Sequence, residues 1–148
     1  MWNCVSDIYR YVYGLGEYEE EFMTWWVLQK EKAGNYEKAA EMYKKAIEID
    51  PNYFDAVLNI GYVILNPAID TYNAAQQLPA AKQKEYDAAL LKSKAQFDAA
   101  KPYLEKATEL QPNTVDAWKN LKTYYIGVQN AAKANEIQKK IDELETKK

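Results

Sequence analysis

Histidine is absent from this 148-residue chain, and cysteine occurs once, as Cys4. The first absence removes the commonest general base and the commonest metal ligand, and the second excludes an intrachain disulfide. Glycine and proline number five each, too few for a collagen-like, disordered or loop-rich scaffold. A basic surplus is also missing: 19 Lys and Arg stand against 22 Asp and Glu, a net charge of −3. No reserve of cations exists to neutralise a run of phosphates, so nucleic acid is not an expected partner. Long apolar runs are lacking too. The longest charge-free stretch, 56–69, includes Asn59, Asn66 and Pro67, and it is shorter and more polar than a membrane span requires. No basic start followed by an apolar run marks a secretory signal, and the cellular compartment stays unassigned.

What is present is an ordinary globular balance, 48% hydrophobic and 28% charged, in a chain the length of one domain. Val, Ile and Thr are scarce beside Ala, Glu, Lys and Tyr, and apolar residues recur at three- and four-residue steps. Both features predict helix throughout. Trp2, Val5, Ile8, Tyr9 and Val12 mark a first helix over about 2–13, stopped by Gly14-Leu15-Gly16. Tyr18, Phe22, Trp25 and Trp26 mark a second, ending near Ala33-Gly34, with Glu17 and Glu19 to Glu21 at its dipole-favoured start. Ala39, Tyr43 and Ala46 carry a third up to Asp50-Pro51-Asn52, a turn signal.

A fourth helix carries Val57, Ile60, Gly61 and Ile64, with a kink expected at Pro67 and the pattern resuming through Ile69, Tyr72 and Leu78. Beyond Pro79, residues Tyr86, Leu90, Ser93, Phe97, Ala100, Leu104 and Ala107 alternate steps of four and three, as along a coiled-coil seam, with Pro102 expected to interrupt it. Trp118, Leu121, Tyr125 and Ile126 mark a sixth helix, and Ala134, Ile137, Ile141 and Leu144 a seventh.

Two of these helices end alike. Tyr43 to Asn52 reads YKKAIEIDPN, and Tyr103 to Asn113 reads YLEKATELQPN. The segment Gly34-Asn35-Tyr36-Glu37-Lys38-Ala39 precedes the first copy. Together these phrases resemble the second helix and closing turn of the tetratricopeptide repeat, a helix–turn–helix unit of about 34 residues. The resemblance covers about 20–144. It places the second-helix packing positions on Ala39, Tyr43, Ala46, Ala100, Leu104 and Ala107, and first-helix positions on Val57, Asn59, Ile60, Gly61, then Trp118, Asn120, Leu121 and Tyr125. The first repeat departs from the pattern at Val27 and Lys30, and the third has Gln129-Asn130 where the internal turn usually carries glycine. Gly16-Glu17-Tyr18 offers a competing register, but the interval from Gly16 to Gly34 has room for one helix only.

The fold so implied is all-α, a right-handed helical solenoid of tetratricopeptide type. It forms a single domain over 1–148: an N-terminal helix and partial repeat over 1–16, a first repeat over 20–53, a second over 54–113, and a third with the C-terminal helix over 114–148. The closing prolines Pro51 and Pro112 stand further apart than one repeat of about 34 residues, by roughly 27. The middle repeat therefore carries a helical insertion around 67–95. Shared between two helices, it would lengthen each by about 13 residues and project a hairpin roughly 20 Å.

The resemblance also implies a ligand, a protein or peptide held in a concave groove lined by the first helices of successive repeats. Carried over residue by residue, the groove falls on Thr24, Leu28 and Glu31, then Asp55, Leu58, Asn59 and Tyr62, then Asp116, Lys119, Asn120 and Thr123. The family's clamp for a C-terminal carboxylate is not matched, and Asp55 and Asp116 favour a neutral or basic ligand.

Chemistry points the same way. Cys4 has no partner base and reads as a small apolar residue, and Glu17 with Glu19 to Glu21 reads as a solvated, dipole-compensating cluster. No catalytic residue, metal site or cofactor is expected. Eight of the twenty aromatics fall in the first thirty residues. The rival reading is a structural protein that forms a homodimer through this region, with Tyr11, Trp25 and Trp26 as its interface, or through the hairpin.

Overall fold

The computed structural model describes residues 36–147, which form five α-helices and, among those residues, no strand. They are α1 (Tyr36–Ile49), α2 (Phe54–Gln76), α3 (Gln83–Leu110), α4 (Val115–Gly127) and α5 (Ala131–Thr146), with a single 3₁₀ turn, Ala80–Lys82, between α2 and α3. The helices expected over 2–13 and 17–33 lie outside the described residues.

Each helix follows its apolar stripe. In α1, Ala39, Tyr43 and Ala46 are buried at steps of four and three, and they pack on Ala56, Ile60 and Val63 of α2. The turn after α1 is built locally. Asp50 N–H donates to the Ala46 carbonyl, Tyr53 N–H to the Asp50 carbonyl, and Asn52 N–H to Asp50 Oδ1. Its counterpart around Pro112 repeats the backbone bonds, from Gln111 N–H to the Ala107 carbonyl and from Thr114 N–H to the Gln111 carbonyl. The same sequence phrase thus redirects the chain in the same way twice.

Consecutive helices pack as antiparallel neighbours, and α2 also packs directly on α4. This alternation, with first helices side by side, is a helical solenoid. The central core joins Leu65 and Ala68 of α2, Phe97, Ala100 and Leu104 of α3, Leu121 and Tyr124 of α4, and Ile137 and Ile141 of α5. Burying a side chain of the size of Leu65, Phe97 or Leu104 contributes about 1.5–3 kcal/mol each.

The middle repeat contains the extended hairpin, with arms of unequal length. Laid on the first helix of that repeat, α4 corresponds to 54–66, so α2 runs on alone over 67–76. Ala100 matches Ala39, so Phe97 matches Tyr36 at the start of α1, and the extra part of α3 is 83–96. The tip is 77–82. The segment equivalent to the internal turn, Ala95-Gln96-Phe97, is continuous helix. Gly61, Ala68 and Ala75 of α2 and the small residues Ser93, Ala100 and Ala107 of α3 are all buried, and Ala68 and Ala100 share the central core. At Gly61 a Cβ would lie 2.6 Å from Leu104 Cδ2, so any larger residue there would displace the buried Leu104 side chain. Ile69 and Tyr72 pack against the Phe97 cluster, and Gln76 Nε2 donates to Tyr86 Oη across the arms, 3.2 Å.

Neither internal proline ends its helix. α2 continues through Pro67, which sits where an unextended first helix would stop, and Thr71 Oγ1 donates to the Pro67 carbonyl. Pro102 does not interrupt α3 as its sequence suggested. It lies on the exposed side, where water can take up the Asp98 carbonyl left without its intrahelical donor.

Candidate functional site

Because α2 and α4 pack side by side, residues at equivalent positions on the two helices form parallel rows. On α2, Asp55, Asn59, Tyr62, Asn66, Asp70 and Asn73 follow steps of four, three, four, four and three, which places them on one face of the helix. That face lies opposite the buried Gly61, Ala68 and Ala75. On α4 the matching row is Asp116, Asn120, Thr123 and Gly127.

Of the groove residues expected from the sequence, Thr24, Leu28 and Glu31 lie outside the described residues, as do Tyr11, Trp25 and Trp26. The remainder divide into two groups. Asp55, Tyr62 and Asp116 are exposed, Tyr62 at 45%, while Asn59, Asn120 and Thr123 are half-buried on the same face. Leu58 and Lys119 sit about 100° round their helices from Asn59 and Asn120. Leu58 packs against the cluster of Val57, Ala107 and Ala117, spacing α2 from α4. Lys119 occupies the equivalent position with no further repeat beside it among the described residues, and its Nζ pairs with Glu145 of α5 at 3.1 Å. These two residues serve the stacking edge rather than the inner rows.

The inner rows are held by local bonds. Asn59 Nδ2 donates to the Asp55 carbonyl at 2.7 Å, and Thr123 Oγ1 to the Lys119 carbonyl at 3.0 Å. Asp55, Asp70 and Asp116 form no ion pair among the described residues, whereas Lys82, Lys94, Lys101 and Lys133 are all paired to carboxylates elsewhere. No Lys or Arg occurs anywhere in α2. The surface is therefore polar and anionic, with one exposed tyrosine and several side-chain amides that can both donate and accept.

Asn66, Asp70 and Asn73 are not among the groove residues expected from the sequence, where the second-repeat set ends at Tyr62 and the hairpin begins at Pro67. The signal was present in the unbroken four and three spacing from Asp55. Among the described residues no group of His, Cys, Asp and Glu is placed to hold a metal ion, and no helix is long and apolar enough to cross a membrane.

A family model described as TPR repeat matches residues 32–67, and one described as tetratricopeptide repeat matches residues 88–114. The first match ends at Pro67, where the hairpin extension begins, and the interval 68–87 between the two is the outer part of that hairpin. No curated protein matches the chain. The repeated closing turn, the alternating helix stack and both family matches agree, and tetratricopeptide repeats are marked over residues 32–67 and 88–114.

Proposed function

We propose that this chain is a non-catalytic scaffold that binds a partner protein or peptide on the inner face of α2 and α4. Repeats of this family generally mediate protein–protein interaction. The observation that carries the reading is the parallel placement of Asp55, Asn59 and Tyr62 beside Asp116, Asn120 and Thr123 on two helices in direct contact. Such rows present an aromatic anchor, amides for hydrogen bonding and uncompensated negative charge together. An acidic ligand would be repelled by Asp55 and Asp116, so the partner surface is neutral or basic.

The test compares proteins retained by the intact chain with those retained by an Asn59→Ala, Tyr62→Ala variant. Partners lost from the variant, identified and then titrated directly, are the expected result. Unchanged retention by a variant that still folds sinks the reading.

A second reading, self-association, draws on Leu91, which is 72% exposed on the α3 arm of the hairpin. Light scattering on the intact chain decides it. A dimer that dissociates on Leu91→Glu, or on substitution of Tyr11, Trp25 or Trp26, would favour assembly.

A further inference from the structure

From the course of the inner face along α2, we infer that the groove continues up the hairpin and holds a basic, extended peptide segment lying along the helix. The inference rests on the reading of that face as the ligand face, and adds to it the length and chemistry of the ligand. Where α4 ends at Gly127, α2 carries the row onward through Asp70 and Asn73, in line with Asn66. Asn73 and Asp70 are exposed and Asn66 is half-buried, and their side chains make no hydrogen bond or ion pair among the described residues.

Two features select the occupant. The amides of Asn66 and Asn73, two helical turns apart, offer a donor and an acceptor each, the pairing that a peptide backbone presents in an extended chain. The charge is uniformly negative, from Asp55 and Asp70, with no cation on α2, which matches lysine or arginine side chains and opposes acidic ones. From Asp55 to Asn73 the row spans about 27 Å at the rise of a helix, the reach of about eight extended residues. Without the hairpin the row would stop at Asn66, roughly 16 Å and about five residues.

The experiment titrates the ¹⁵N-labelled full chain with end-blocked peptides of alternating lysine and serine, a hexamer and a decamer, and with the glutamate and serine decamer as counterpart. The expected result is movement of the Asn66 and Asn73 side-chain amide signals with the lysine decamer, weaker binding by the hexamer, and no movement with the glutamate peptide. Asp70→Asn is expected to raise the decamer's dissociation constant roughly two- to fivefold, the range an exposed ion pair commands.

If the decamer moves only Asn59 and Asn120 and Asp70→Asn binds equally well, the continuation along the hairpin is wrong while the groove stands. Movement at none of the four asparagines overturns the inner-face reading itself. Movement at Asn66 and Asn73 with the glutamate peptide overturns the basic class of ligand.

Discussion

The ring of Phe97 closes over Gly127: a Cβ built on this glycine would overlap the ring at Cζ and at both neighbouring carbons, Cε1 and Cε2. Phe97 is the first residue of α3 that belongs to an ordinary repeat, and Gly127 is the last of α4. Their contact seats the third repeat against the base of the hairpin. Gly127→Ala forces the ring of a buried residue to move, and overpacking of this kind costs about 1–3 kcal/mol. Denaturant unfolding should register that loss, and a Gly127→Ala, Phe97→Leu double variant should recover part of it.

Gln129, in the turn between α4 and α5, has φ 58° and is the one non-glycine residue with positive φ among those described. It occupies the position at which the first repeat has Gly34. A side chain in the left-handed region costs roughly 1–2 kcal/mol, partly offset by the backbone entropy that glycine loses on folding. Gln129→Gly is expected to raise stability by up to about 1 kcal/mol, visible as a higher melting temperature, whereas Gln129→Val should lower it.

Tyr124 is buried, and its hydroxyl donates to Asp98 Oδ1 at 2.9 Å, while Lys94 Nζ donates to Asp98 Oδ2 at 2.8 Å. Burial, then the adjacent carboxylate, pushes the phenol up to about 12 from its ordinary 10.0. The folded state therefore favours the neutral phenol. Its contribution is complete below pH 10 and is lost as pH rises toward 12. The Lys94 hydrogen bond, ahead of the bond from Tyr124, holds Asp98 below its usual 3.8, so that carboxylate contributes above this pH and loses its effect as acid protonates it. Melting curves followed from about pH 9 to about pH 11.5 should fall more steeply for the native chain than for Tyr124→Phe. Parallel slopes would contradict the burial of this phenol.

Leu65 and Ile126 occupy equivalent places in successive repeats, yet Leu65 is 2% exposed and Ile126 is 55% exposed. Leu65 is covered at the centre of the stack, and Ile126 lies on the outer edge of the last repeat. Leu65→Ala is expected to cost about 2–5 kcal/mol by leaving a cavity. Ile126→Ala should change stability by less than about 0.5 kcal/mol. Equal losses in thermal unfolding would show that the edge at Ile126 is covered in solution.

For the described residues, the sequence by itself determined the helices, their closing turns and the repeat. Spacing of Ala39, Tyr43 and Ala46, and of Ala100, Leu104 and Ala107, is a local property of the chain, as is the turn at Asp50-Pro51-Asn52. The wide interval between Pro51 and Pro112 likewise announced an insertion and its helical character.

Tertiary structure decided the matters that depend on neighbours. Pro102 reads as a breaker in isolation, but packing of Ala100, Leu104 and Ala107 outweighs one lost hydrogen bond on an exposed side. Leu58 and Lys119 share a repeat position but differ in surroundings: one has the next repeat beside it and the other has Glu145. The four and three spacing from Asp55 continues past Pro67 in the sequence, but which neighbouring helix runs beside it depends on the tertiary structure. Asp70 and Asn73 stand in line with Asp55, Asn59 and Tyr62 beyond the end of a neighbouring helix only because α2 runs through Pro67 while α4 stops at Gly127.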